Sequence, residues 1–433
     1  MWSKFNRNAG IDIQTTVGDG PTTLATANLK VVRSLLQNSQ LSETDDGVLA
    51  SGIRLNADQG LLNATIDSTV ILGNTIVLNS AFDRMEAVYA IADGSGRINT
   101  TISGTDLNAL TRTGNDFINW HVGVGSNAED LGISIVDISD TLLDAECVLK
   151  FHAGEFGDPA VSALSTTVRR SELVARLPEN SPFDGIRTEA LGGSDMSLSI
   201  LDSEYRFQGT VSGSNPARSW LNGDVSDSAD LTLLIENGMP RNSMAGFTNF
   251  IDLASEDSGT ITTTIRNTTI GDTIGQGIDI GAFDTSRVTL EVIGSTLSNS
   301  GAGLLNVLVN DQAVASSTLT SNTLINPANR AITLLGKATN ATDNARVGAT
   351  LTSNQFQALS GALRATSDTD DGLAELRLNM TNNTSNGLYL LEQLEAPPGT
   401  AIITLFDGGG NSPTQTTSGM IGTATTALDI TFP

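Results

Sequence analysis

The 433-residue chain carries 48 Asp and Glu against 23 Lys and Arg, a formal charge of −25. No basic block relieves that balance, which excludes nucleic acid as a partner, because phosphate binding needs clustered Lys and Arg. A single cysteine, Cys147, excludes a disulfide scaffold and any Cys-rich zinc module, and no apolar run reaches the roughly 18 residues of a membrane-spanning helix.

Met1 to Asn8 has no apolar core and does not read as a secretory signal. Heavy use of Ser, Thr, Asn, Asp and Gly, with scarce Lys, points instead to an extracellular or cell-surface β-rich protein. Residues 1–46 are expected to form an N-terminal segment or cap. Within it, Leu24, Ala27, Leu29, Val32, Leu35 and Leu36 suggest a short amphipathic capping helix, with a first irregular coil as the alternative.

From 47 to 230 a repeat is present with interruptions. Leu62 and Ile66, then Ile98 and Ile102, set an anchor spacing. Cys147-Leu149-Phe151 followed by Phe156, and Met196-Leu198-Ile200 followed by Tyr205, read as further coils. The wide interval between 102 and 196 is expected to hold inserted loops.

From 231 to 433 the repeat is regular. Anchors stand at Ile235, Ile265, Val292, Leu319, Leu351 and Met380, with a mean spacing of 29 residues. Alternation such as Val288, Leu290, Val292 marks a strand with one buried face. Small polar residues follow each anchor, and a second strand lies 13 to 15 residues on, as at Ile278 and Ile280. No helix-length amphipathic segment intervenes, so each coil must pair in parallel with the next and bury its apolar face by stacking. Asn suits the corners, because it tolerates left-handed backbone and its amide can bond to neighbours in adjacent coils. The stretches 401–406 and 427–432 extend the alternation toward Pro433, with Gly408-Gly409-Gly410-Asn411-Ser412-Pro413 as a loop between them. No polar cap follows, which points to further chain or to stacking on another molecule.

Those anchors and corners resemble the right-handed parallel β-helix, the superfamily of pectate lyases, tailspikes and many bacterial surface proteins. The resemblance implies an all-β solenoid of about a dozen or more coils, with its handedness taken from the resemblance and from the general preference for right-handed crossovers. It does not single out one family.

No catalytic and no cofactor-binding residue is assigned. Ten of the nineteen aromatics, with His121, His152 and Cys147, lie between 117 and 250, which makes that region the best place for a site. Two histidines do not make a zinc site, and Cys147 reads as a small buried residue. The sets Asp202, Glu204, Arg206 and Asp279, Asp284, Arg287 are the nearest approach to lyase-like chemistry. The glycosidase pair of carboxylates cannot be chosen from 48 acids. Asp368, Asp370 and Asp371 are weak calcium candidates, since they share Asp-x-Asp spacing and a Gly with calcium loops but lack the later ligands. Thr262-Thr263-Thr264 suggests a Thr ladder for ice binding, but the Thr positions do not recur in strict register.

The functional expectation is a structural or adhesive solenoid, self-associating end to end or laterally, or forming part of a larger surface protein. A surface polysaccharide is a further expected partner. The alternative is a carbohydrate-active enzyme, a lyase, hydrolase or tailspike-like depolymerase, with a lateral acidic groove.

Overall fold

The computed structural model describes residues 9–15, 25–37, 40–41, 50–72, 75–76, 84–108, 120–177, 184–209, 217–241, 247–325, 327–357, 361–386, 389–395 and 399–411. The chain divides into two units, Met1–Asn222 and Gly223–Pro433. Each is a parallel β-solenoid, and no helix occurs among the described residues.

A coil has a long first-face strand, a long second-face strand and a short third-face strand. In unit 1 the first face stacks Ala9–Thr15, Ala50–Ala57, Arg84–Ala92, Trp120–Ala128, Cys147–Ala153 and Ile186–Ala190 in that order. In unit 2 the second face stacks Asp230–Glu236, Thr260–Arg266, Arg287–Ile293, Val314–Thr320, Asn344–Thr352, Leu373–Thr381 and Thr400–Asp407.

The anchors form straight internal rows. In unit 1 the row is Val31, Ile66, Ile102, Ile138, Val168, Ile200. In unit 2 it is Ile235, Ile265, Val292, Leu319, Leu351, Met380. Apart from Val31, every member is at most 1% exposed. Burying such a side chain contributes about 1.5–3 kcal/mol, so the rows are the main cohesive element of each stack.

The corner after each anchor is equally regular. Two residues past the anchor the backbone turns left-handed, with φ between 47° and 57° at Arg33, Ser68, Gly104, Asp140, Arg170 and Asp202 in unit 1. Asn237, Asn267, Gly294, Ser321, Ser353 and Asn382 repeat this in unit 2. That conformation favours Gly, Asn and Asp and is costly for β-branched residues. It explains the small polar residues that follow most anchors, with Arg33 and Arg170 as the exceptions.

The next residue is buried and bonds the coils together. In unit 1, Thr141 N–H donates to Ser171 Oγ at 3.3 Å and Ser171 N–H to Ser203 Oγ at 3.3 Å. In unit 2 the amides of Ser295, Asn322, Asn354 and Asn383 donate in turn to the side chains of Asn322, Asn354, Asn383 and Asn411, at 2.8–3.0 Å. Five residues past the anchor, the short third-face strand adds a second row, such as Ile270, Leu297, Leu324 and Phe356.

Four sequence expectations are corrected. Within 24–41 the described residues, 25–37 and 40–41, form no capping helix. Ala25–Val32 and Leu35–Gln37 are strands paired with Gly60–Asp67 and Val70–Leu72. Ala27, Leu29 and Val31 alternate with Asn28 and Lys30, so the segment serves the period of two once a neighbouring coil is present. The interval from 102 to 196 holds two further regular coils, anchored at Ile138 and Val168, rather than inserted loops alone. Cys147, Leu149 and Phe151 line the first face and not an anchor strand, and Phe156 lies on the surface at 74% exposure. Thr232, Thr262 and Thr289 do stand in register, although Ser316 ends the run and Thr263 points into the core. The stretch 427–432 lies outside the described residues.

Candidate functional site

The solenoid projects every second residue of a first-face strand outward, so chemistry on that face collects in rows one coil apart. Two polar clusters arise in this way, one in each unit.

In unit 1, Leu149, Phe151 and Ala153 point inward, which turns Lys150 and His152 outward. In the next coil Ile186, Thr188 and Ala190 point inward and turn out Arg187 and Glu189. Register places Lys150 opposite Arg187 and His152 opposite Glu189. His152 Nδ1 donates to Glu189 Oε2 at 3.3 Å, and both side chains are half-buried. That bond, helped by Arg187, the His152 charge and Lys150, holds the Glu189 carboxyl below the usual range against the opposing effect of burial. In the preceding coil Gly125 lies opposite Lys150 and Asn127 opposite His152. The buried Glu86 carboxylate rests against Gly125, where a Cβ would stand 2.5 Å from Glu86 Oε1.

In unit 2, Asp252, Asp279, Asn306, Thr333 and Arg364 form one outward row. The buried Asn249 donates from Nδ2 to Asp252 Oδ2 at 3.1 Å and to Asp279 Oδ2 at 3.4 Å. Asn306 Nδ2 donates to Asp279 Oδ1 at 2.8 Å. Burial raises the Asp279 carboxyl, and the Asp252 charge adds to the rise against the lowering effect of the amide donors. The Gln276 N–H donates to Asn249 Oδ1 at 2.9 Å and ties the covering loop to the pair.

Sequence reasoning found part of this. Asp279 belongs to the second cluster, but its partners are Asp252 and Asn249. Asp284 sits instead in a left-handed corner, and Arg287 opens a second-face strand. Asp202 likewise occupies a corner, and Arg206 pairs with Glu172 at 2.9 Å across coils. Asp252 and Glu189 were missed, because only the register shows which acids share a row. Of the aromatics between 117 and 250, Phe151, Tyr205, Phe207, Trp220, Phe247 and Phe250 are core residues. Trp220 packs on Tyr205 with ring centroids 4.2 Å apart, so it is no surface platform. Phe156 is exposed. Trp120 and His121 lie in a first-face strand. Cys147 is fully buried, its Sγ donating to the Leu149 carbonyl at 3.2 Å.

Asp368 stands in register between Lys337 and Leu394, while the Asp371 carboxylate accepts from the N–H of Gly372 at 2.9 Å. Asp370 donates its N–H to the Ala338 carbonyl at 3.0 Å. Among the described residues no three His, Cys, Asp or Glu are grouped to hold a metal, and no helix is long and apolar enough to cross a membrane.

No protein-family model matches the sequence, and no curated protein matches it. Among solved structures the chain is similar to the Dettilon tailspike protein (gp208), at 13% identity and a TM-score of 0.27. The match covers 91% of this chain and 61% of that one, less than two thirds of its length.

Proposed function

We propose that the protein is a structural or adhesive solenoid, displayed extracellularly or on a surface, whose coils form a rigid support for lateral contacts. The buried corner ladder carries this reading. From Ser295 to Asn411, each coil's backbone amide is satisfied by a side chain of the next coil. Opening one coil therefore strands buried donors in its neighbour, at about 1–3 kcal/mol each. A stack built this way resists local unfolding and hence proteolysis. End-to-end or lateral self-association belongs to the same reading. Sedimentation over a wide concentration range, with electron micrographs of the same samples and limited proteolysis, tests it. Rods that lengthen with concentration and resist protease support the proposal. Monodisperse, readily degraded monomers would sink it.

The unit 2 cluster favours a second reading, a carbohydrate-active enzyme. Asn249 holds two carboxylates together, and Asp279 retains its proton to higher pH than an ordinary Asp, as a general acid requires. Release of reducing ends from acidic polysaccharides, lost in Asp279→Asn, would support it. No cleavage of any substrate across pH 4–8 would discard it.

A further inference from the structure

Six Asp-Gly pairs occur in the sequence, beginning at Asp19, Asp46, Asp93, Asp184, Asp371 and Asp407. The last four lie among the described residues. Such a pair can react with itself, because glycine leaves its backbone nitrogen unshielded beside the preceding carboxyl. The fold treats the four differently. Asp93-Gly94 opens the turn between Arg84–Ala92 and Arg97–Ser103, which the Gly96 N–H closes on the Asp93 carbonyl at 2.8 Å. Gly94 has a φ of 55°, and its N–H donates to Oδ1 of Asp93 itself at 2.6 Å. That contact sets the nitrogen against the carboxyl group it would attack, as a near-attack geometry requires. In the next coil the turn 129–132 stacks on this one, with the Glu129 N–H donating to the Ala92 carbonyl at 2.9 Å. Asp130 of that turn shares a hydrogen bond with the Asp93 carboxyl, and a bond between two carboxyls needs a proton on one of them. Desolvation, the Asp93 charge, that bond and the Asp158 charge raise the Asp130 carboxyl. Asp58, in the preceding coil, bounds the other side. A Cβ on Gly94 would stand 3.0 Å from the Asp58 carbonyl and 3.4 Å from its Oδ1.

The other pairs are less well placed. Asp184 is 1% exposed, its Oδ1 accepts from the Ser219 N–H at 3.0 Å, and the Gly185 N–H donates to the Ser219 carbonyl at 2.9 Å. The Gly408 N–H donates to the Met380 carbonyl at 2.9 Å. The Gly372 N–H does reach Asp371 Oδ1, at 2.9 Å, but Gly372 is walled in, since a Cβ there would meet the Asn340 carbonyl at 2.3 Å.

We propose that Asp93-Gly94 is a site of aspartate isomerisation in the folded chain, with Asp130 as the acid. The Gly94 nitrogen bonds to Cγ of Asp93. One carboxyl oxygen leaves as water, taking the proton that Asp130 shares and the proton of the Gly94 N–H. The product is a cyclic imide. Water then breaks the bond between the imide nitrogen and the Asp93 backbone carbonyl, and the new carboxyl returns a proton to Asp130. The main chain now runs through Cγ, as isoaspartate. It is longer by one methylene at a corner whose register is set by the turns above and below, so the modification marks aged copies of unit 1 and loosens this coil.

The test holds the full folded chain for weeks at body temperature and near-neutral pH in water enriched in heavy oxygen, followed by peptide mapping. Isoaspartate is read by enzymatic carboxyl methylation and by backbone fragmentation in the mass spectrometer. Asp93 is expected to gain isoaspartate and one heavy oxygen at least tenfold faster than Asp184 or Asp407, with Asp371 between them. In urea the four rates should converge, because the fold no longer sorts them. Asp93→Glu should abolish the product at this position. Asp130→Asn, which keeps the shape of the partner, should slow it about threefold with unchanged circular dichroism and melting. An unmodified Asp93, or equal modification of Asp184 or Asp407 in the folded chain, overturns the site. Isoaspartate without heavy oxygen overturns the imide route, and an unchanged rate in Asp130→Asn overturns the acid.

Discussion

Asn354 donates from Nδ2 to Oδ1 of Asn383 at 3.0 Å, one coil further on. The same amide nitrogen donates to the Leu319 carbonyl at 2.8 Å, and Asn354 Oδ1 accepts from both the backbone N–H and Nδ2 of Asn322. One buried side chain thus joins three coils.

Removing it should be costly. Asn354→Ala leaves a buried N–H, a buried carbonyl and two side-chain amides short of partners, an expected loss of about 3 kcal/mol in urea unfolding. Asn354→Ser should lose less, because Ser fills the equivalent position at Ser171, Ser203 and Ser295. Equal stability of the Ala variant and wild type would contradict the ladder's role.

Ser353, with φ of 57°, tests the corner. Ser353→Gly should raise the melting temperature slightly, since glycine reaches that conformation without steric cost. Ser353→Val should lower stability by about 1–2 kcal/mol, because a β-branched residue is strained there. If Val melts above Gly, the corner conformation is wrong.

Trp220 is fully buried against Tyr205. With Trp2 and Trp120 replaced by Phe, the remaining emission should be blue-shifted and insensitive to acrylamide until unfolding. Burial also raises the Tyr205 phenol well above its usual range, so this tyrosine should ionise only on denaturation in an alkaline absorbance titration. Early quenching would place the indole at the surface.

The two clusters should leave opposite signatures in acid. Glu189 titrates below its unfolded value, so its contribution to stability is present at neutral pH and is lost as pH falls through its folded pKa. Glu189→Gln should therefore flatten the acid limb of stability against pH. Asp279 titrates above its unfolded value, so its contribution is present below the unfolded pKa and lost as pH rises through the folded one. Asp279→Asn should remove that decline. Carboxyl-carbon NMR titration reads both sites directly, and the assignments fail if Glu189 titrates above Asp279.

The sequence by itself determined the repeat, the inward rows and the corner chemistry. From 231 onward, Ile235 to Met380 recur at near-constant spacing, and each anchor row needs only a period of two and a small polar residue behind it. Both are local properties that can be read along the chain. The tertiary structure decided what depends on which coil lies beside which. It made strands of Ala25–Val32 and Leu35–Gln37, because they gain paired neighbours in Gly60–Asp67 and Val70–Leu72 and the alternation of their apolar residues fits those partners. It recovered the anchors Ile138 and Val168, where weaker patterning is compensated by register with Ile102 and Ile200. It also chose Asp252 for Asp279 and Glu189 for His152, pairs separated by 27 and 37 residues that meet only because outward rows stack one coil apart. Coil lengths vary, so no fixed offset along the chain identifies those neighbours.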